Sequence, residues 1–359
     1  MYPDRLFGLR RWRGGHRVVA REPQHRETGG EASFRKYCIG ASCNYSARRA
    51  EAGTDAATRE GGTNCLRSQT TLRTTVSIEG VGLHSGHPVR AMFRPAEPGH
   101  GLVFVRSDHP GSPIPARLSS ASMFDYATTL SANGISIGTV EHVLSAAAGE
   151  GLDNCRIEVD GPEIPILDGS ALPFVRLFHA AGFERQEERV RPIALDREVE
   201  VSRGDRSVRY VPDGPGLTIS YEIDFPHPVV GKQELTVAIR PEEYSARIAP
   251  ARTFGFARDV EAMRARGLAR GGNLHNAVVL DETGVASGPL RFRDEFVRHK
   301  ILDLVGDLAL LGAPLAGRIF ARKAGHALHI EFARAIELAR TAPALRPDAD
   351  ARQERTVNE

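Results

Sequence analysis

From Ser68 onward the chain alternates short strand-like runs with helical stretches, and it does so twice. In the first pass, apolar and β-branched residues recur with strand spacing over Thr70–Ile78, Val89–Phe93 and Leu102–Arg106. A 3.6-residue pattern over Thr139–Ala148 predicts a helix, Cys155–Val159 a strand, and Pro173–Ala181 a second helix. The second pass repeats this order. Strands are predicted at Arg197–Val201, Ser207–Tyr210 and Leu217–Ile223, a helix near Asp294–Leu311, a strand at Gly317–Arg322 and a last helix at Glu331–Arg340. It also inserts a helix, Ala257–Arg266, with Val260 and Met263 on one face. Two copies of one small unit predict an α+β protein of two similar domains, each a small sheet packed with helices. The active site is expected at the interface between them. The domains are expected over 68–189 and 190–342, with the boundary at Arg189–Pro192.

The flanks read differently. Residues 1–67 are rich in Arg, Gly, Glu, Ser and Thr and carry no sustained apolar periodicity, so a disordered extension is expected there. A start codon placed too early, or a binding arm, would also give such a stretch. Residues 343–359 form a short polar tail. The extension holds 13 Lys+Arg against 7 Asp+Glu, while the formal charge of the whole chain is only +2. The basic balance therefore belongs to the extension and makes no case for a nucleic-acid partner. No apolar run approaches the ~18 residues a bilayer span needs. The Arg-rich start lacks a signal peptide's apolar core. A cytoplasmic chain without stable membrane insertion is expected, acting as a monomer on a small molecule. Of the four cysteines, Cys38, Cys43, Cys65 and Cys155, no pair has CxxC spacing. A disulfide framework is not expected, and Cys155 reads as a small buried hydrophobe.

Candidate chemistry lies in three segments. Glu295–Asp307 reads as a helix in which His299 and Asp303, four apart, share a face that Asp307 continues. An imidazole and a carboxylate so placed can bind one divalent metal. They serve equally as an exposed pair on a polar face, worth a few tenths of a kcal/mol. Thr139-Val140-Glu141-His142 opens the matching helix of the first half, with Thr139 or Ser136 as candidate cap. His142 can supply a third ligand, and three protein ligands with one open position is the pattern of a catalytic zinc. Glu141 beside it can take a proton from water, or can be a first-turn glutamate favoured by the helix dipole. His326, in Lys323-Ala324-Gly325-His326-Ala327, is read as a loop histidine, free to face a site as a general acid or oxyanion donor. No HExxH is present.

Six stretches together resemble the UDP-3-O-acyl-N-acetylglucosamine deacetylase family. They are Gly80-Val81-Gly82-Leu83-His84-Ser85-Gly86, Thr139 to His142, Pro162 to Ser170, Ala251-Arg252-Thr253-Phe254-Gly255-Phe256, Glu295 to Asp307, and Gly325-His326-Ala327. They stand in the family's order with similar gaps, across roughly residues 68–340. The resemblance implies hydrolysis of the N-acetyl group of UDP-3-O-(3-hydroxyacyl)-N-acetylglucosamine, the committed step of lipid A synthesis in Gram-negative bacteria. It implies a Zn2+ held by His142, His299 and Asp303, with Glu141 as general base. His326 matches the cationic histidine that stabilises the oxyanion and protonates the leaving amine, and Asp307 the carboxylate that orients it. Thr253 matches the hydroxyl that helps hold the oxyanion, and Phe254 lies beside the sugar. Lys300 and Lys323 match cationic positions near the substrate's carbonyl and diphosphate. The helix bearing Val260 and Met263 matches the wall for the acyl chain. Two features depart from the family pattern: the N-terminal extension, and Ala127, where some members carry a cysteine near the metal. The short tail leaves no room for the dehydratase domain fused to some relatives.

Two other classes fit parts of the pattern. Two histidines and a carboxylate also make the facial triad of non-haem Fe(II) oxygenases, whose turnover would depend on dioxygen. A non-enzymatic binder of nucleotide-sugars would release no acetate.

Overall fold

A computed structural model of the chain describes residues 66–123 and 126–341, with the backbone of Val19–Ala20. The expectations for the extension and for the 343–359 tail fall almost wholly outside the described residues. Val19–Ala20 pairs antiparallel with Val76 and Ser77.

The repeat read from the sequence is a repeat of topology. In the first half, Val76–Val81 pairs antiparallel with Pro88–Pro95. Cys155–Val159 then inserts between Pro88–Pro95, antiparallel, and Leu102–Arg106, parallel. In the second half, Val199–Arg203 pairs antiparallel with Arg206–Val211. Gly317–Arg322 inserts between Arg206–Val211, antiparallel, and Leu217–Phe225, parallel. In each half the fourth strand lands between the second and third. A helix makes the crossover to it: α1 (Glu141–Glu150) in the first half and α5 (Glu295–Leu308) in the second. A further helix follows it, α2 (Leu172–Ala181) and α6 (His326–Thr341). The second half adds α3 (Pro241–Arg247) and α4 (Ala257–Ala265). No described helix is long and apolar enough to cross a membrane.

Burial alternates along Pro88–Pro95, Cys155–Val159 and Gly317–Arg322. Phe93 meets Phe174 and Phe178 edge-on in the first core, and Tyr210, Tyr221, Ile319 and Phe332 are fully buried in the second. Cys155 is buried in the first core, its thiol pushed up to about 12 by burial, and behaves as the expected small hydrophobe. The chain passes from one half to the other after Phe183–Arg189, which pairs with Ser68–Leu72. At Ile193 it is already bonded to the backbone of Pro314 and Ala316.

The halves meet through α1 and α5. Apart from Arg298 and Lys300, every residue of α5 is buried, so most of its polar residues lie inside the molecule. Gly306 makes that approach possible. A Cβ there would sit 2.1 Å from the carbonyl oxygen of Glu141, a backbone atom that cannot swing aside. Gly306→Ala is expected to destabilise the fold by roughly 1–3 kcal/mol, the usual cost of overpacking, and to displace Glu141. Thermal unfolding and activity measured together check this; an unchanged Tm with full activity would refute it.

Several expectations need correction. The Thr70–Ile78 run is two strands, Ser68–Leu72 and Val76–Val81, because Arg73–Thr75 turn the chain. The last helix begins at His326 rather than Glu331, so His326 is not a loop residue. Its two histidines look polar in sequence but point inward, where Asp307 satisfies them. Neither Thr139 nor Ser136 caps α1. Its N-cap is Val140, without a side-chain cap, and the Thr139 hydroxyl donates instead to Glu163 at 2.7 Å.

Candidate active site

His142 stands in the first turn of α1, and His299 and Asp303 lie one turn apart on α5. Their ligand atoms all fall within 4.8 Å of one another, and all three residues are buried. The reading of His299 and Asp303 as an exposed pair is thereby excluded. The His142 and His299 rings meet edge-on at 5.1 Å. Burial and the neighbouring His299 push His142 down to about 3, and burial likewise lowers His299. Burial would raise Asp303, but His299 and Lys300 hold it well below the usual carboxylate range. The set is thus two neutral imidazoles and one carboxylate.

These residues fit a metal ion. The Nδ1–H of His299 donates to the Ala251 carbonyl at 3.1 Å, which leaves Nε2 without a proton. That Nε2 faces Oδ1 of Asp303 at 3.2 Å. Two lone pairs so close and so buried repel each other unless a cation lies between them. Nδ1 of His142 is buried and has no hydrogen-bond partner. A divalent ion with an N, N, O donor set answers the first problem and accounts for a second imidazole brought there.

Beside the set lie an acid and a base. Glu141 is buried, and burial, opposed by His326 and reinforced by Asp303, pushes it up to about 7. Its Oε2 accepts the backbone N–H of Thr128 at 2.9 Å, which leaves Oε1 for chemistry. Burial would lower His326, but the carboxylates of Asp307 and Asp303, with the hydrogen bond to Asp307, lift it to about 9. Its Nδ1–H donates to Oδ2 of Asp307 at 2.8 Å. Asp307 is fully buried; burial would raise it, yet His326 and His329 hold it at about 2. The result is a cationic imidazole whose Nε2–H is free to serve the pocket.

The pocket holds about 330 Å³ and is lined by Glu141, His142, His299, Lys300, Asp303 and His326 on its polar side. Thr253, Phe254, Val260 and Met263 also line it, joined by Leu83 and Tyr126. Phe254 is fixed edge-on against Phe296 at 5.1 Å and Phe225 at 5.7 Å. The Ala251–Phe256 stretch is held by Arg252, whose guanidinium grips the fully buried Glu295 at 2.8 and 3.1 Å. Lys300 donates to Oδ2 of Asp303 at 2.7 Å. Two expected residues lie off the wall. Asp307 sits behind His326, and the Lys323 ammonium is held between Asp205 at 3.0 Å and Asp224 at 2.9 Å.

The remaining motifs chiefly hold the scaffold, with Leu83 of the Gly80–Gly86 stretch also reaching the pocket. The buried Glu163 accepts from the backbone N–H groups of His84 and Ser85 and from Thr139, which ties the Gly80–Gly86 loop to the start of α1. Gly82 is required there, since a Cβ would meet Glu163 Oε2 at 2.3 Å. Sequence reasoning missed Thr128, whose N–H bonds Glu141 and whose hydroxyl donates to Oδ1 of Asp307 at 2.6 Å. It also missed His329. Glycine within the apolar pattern of α5 was a legible signal for Gly306. A threonine in a short strand-like run gave no comparable signal.

The family model described as UDP-3-O-acyl N-acetylglycosamine deacetylase matches residues 69–337. A protein of Myxococcus xanthus named UDP-3-O-acyl-N-acetylglucosamine deacetylase is 47% identical over 272 residues, 75% of this chain and 86% of the relative. One of Anaeromyxobacter sp. is 46% identical over 75% of this chain and 88% of its own length. One of Acidithiobacillus ferrooxidans is 47% identical over 75% and 90%. Both carry the same name.

Proposed function

Since the chain belongs to the UDP-3-O-acyl-N-acetylglucosamine deacetylase family, we propose that it removes the N-acetyl group of UDP-3-O-(3-hydroxyacyl)-N-acetylglucosamine at this pocket, with zinc held by His142, His299 and Asp303. The observation that carries the reading is the convergence, on one wall, of a metal-competent set, a base and a charged acid from α1, α5 and α6.

When bound, the ion supplies Lewis-acid polarisation and makes water more acidic near neutral pH. The protein supplies the rest. Oε1 of Glu141 takes a proton from the attacking water as its oxygen bonds to the acetyl carbon. The negative charge that develops on the former carbonyl oxygen is met by the Thr253 hydroxyl and by cationic His326. As the C–N bond breaks, Nε2–H of His326 gives its proton to the departing amine, and the acetyl group leaves as acetate. Phe254 lies beside the sugar, and Lys300 near the carbonyl. Leu83, Val260 and Met263 offer an apolar wall to the acyl chain. Lys323 reaches the diphosphate by exchanging its carboxylate partners for phosphate oxygens. The reaction is placed in the cytoplasm, at the committed step of lipid A synthesis.

The test is acetate release from UDP-3-O-(3-hydroxyacyl)-N-acetylglucosamine. Stoichiometric acetate that disappears with a chelator and returns with Zn2+ is expected. Turnover that consumes dioxygen, or binding without acetate, would reject the reading.

A further inference from the structure

The carboxylate behind the acid histidine has three protein donors rather than one. Oδ1 of Asp307 accepts the Thr128 hydroxyl at 2.6 Å. Oδ2 accepts the Nδ1–H of His326 at 2.8 Å and, equally close, the Nδ1–H of a second histidine, His329. The two rings stand nearly perpendicular, centroids 6.0 Å apart. Asp307, His326 and His329 could by distance alone hold a metal, but both imidazole nitrogens nearest Oδ2 are at ordinary N–H···O separation, so protons fill that space.

His329 is fully buried and is held from its far side. The Tyr221 hydroxyl lies 3.0 Å from His329 Nε2 and 2.9 Å from the carbonyl of Ala324, just before the start of α6. Tyr221 is itself fully buried, its ring edge-on to the imidazole. The phenol has one hydrogen: given to Nε2, it leaves a neutral ring with its proton on Nδ1; given to the Ala324 carbonyl, it leaves the phenol oxygen to accept Nε2–H of a doubly protonated ring. In both arrangements Nδ1–H serves Asp307.

We propose that His329 is a positioning residue for the reaction: by bonding Oδ2 of Asp307, and being held by Tyr221, it fixes the carboxylate in the orientation that aims Nε2 of His326 into the pocket. Without it, Asp307 keeps two partners on different oxygens and can rotate between them. His326 would follow, and the proton would be delivered from a spread of positions. The inference rests on the roles given above to His326 and Asp307.

Six variants test it: His329→Leu, His329→Asn, Tyr221→Phe, His326→Ala, and Asp307→Asn with and without His329→Leu. Each is measured for kcat and KM of acetate release, metal per chain and thermal unfolding. Leucine keeps the volume and removes the donor. His329→Leu should lower kcat about 10–100-fold, the usual loss when a group that orients a working residue is removed, with KM and metal content unchanged. Asparagine places an amide N–H where Nδ1–H was, and should keep kcat within a few-fold of wild type. In the Asp307→Asn background, His329→Leu should cost little more, because the shared carboxylate is gone. Tyr221→Phe keeps the ring packing and should show a smaller fall in kcat; it carries the test if the leucine variant does not fold. A folded leucine or phenylalanine variant with wild-type kcat, while His326→Ala is crippled, overturns this inference alone, as does an asparagine variant as damaged as leucine. A fully active His326→Ala overturns the functional reading and this inference with it.

Discussion

His299→Ala and Asp303→Ala are each expected to yield a folded protein that keeps almost no metal after dialysis and releases no measurable acetate. The expectation follows from where the charges sit. His299 is fixed by Ala251 in the tautomer that turns a bare nitrogen toward Asp303, an arrangement that is repulsive until a cation joins it. Removing either partner leaves a two-donor site, short of the three protein ligands a catalytic ion needs. The loss should exceed the roughly 10–100-fold that follows from disturbing a group behind a ligand. Asp303→Asn is the cleaner companion. It keeps the volume and a hydrogen-bond acceptor for Lys300, which donates to Asp303 at 2.7 Å, yet removes the charge the ion requires. Elemental analysis of all three, with circular dichroism to confirm folding, decides the matter independently of turnover. Wild-type metal content in the alanine variants would place the ion elsewhere and end the assignment of these ligands.

How much of this was legible beforehand depends on the kind of contact. The α5 stripe of His299, Asp303 and Asp307 is set by helical geometry, and the spacing alone placed all three on one face. What spacing did not reveal is that the face is buried. That is settled by α1, a helix of the other half, which Gly306 allows to come within contact of α5. Strands with their own signal, a continuous apolar run in Leu102–Arg106 or alternating burial in Cys155–Val159 and Gly317–Arg322, were placed to the residue. Phe183–Arg189 is almost wholly polar and exists as a strand only because Ser68–Leu72, far away in sequence, offers an edge. Thr128 and His329 escaped for a related reason. Each bonds Asp307, and nothing local to either residue announces that a carboxylate from α5 will arrive there. Family resemblance supplied roles for residues that touch the pocket. Behind the wall it supplied a role for Asp307, but none for Thr128 or His329, which bond it.

The base and the acid should separate in a pH profile of kcat/KM. In the proposed roles Glu141 works deprotonated and His326 protonated, so the rate should rise as pH climbs through the first and fall as pH climbs through the second. The protein's own surroundings put Glu141 at about 7 and His326 at about 9. A divalent cation beside them favours the less positive form of each, so both limbs move to lower pH when the site is loaded, with the bell preserved. Glu141→Gln keeps the acceptor for the Thr128 N–H and removes the base; kcat should fall about 10²–10⁴-fold, the range for general acid–base groups, and the acidic limb should vanish. His326→Ala should cost a similar factor and flatten the basic limb, with metal content unchanged because neither residue is a ligand. Asp307→Asn is the discriminating case. His326 is raised against its own burial by the carboxylates of Asp307 and Asp303, Asp307 the larger of the two. Losing that negative charge lowers the imidazole's pKa, so the basic limb should shift to lower pH while the acidic limb moves little. A basic limb that stays in place in Asp307→Asn, or persists in an active His326→Ala, would remove the imidazolium from proton delivery and leave Glu141 to carry the proton both ways.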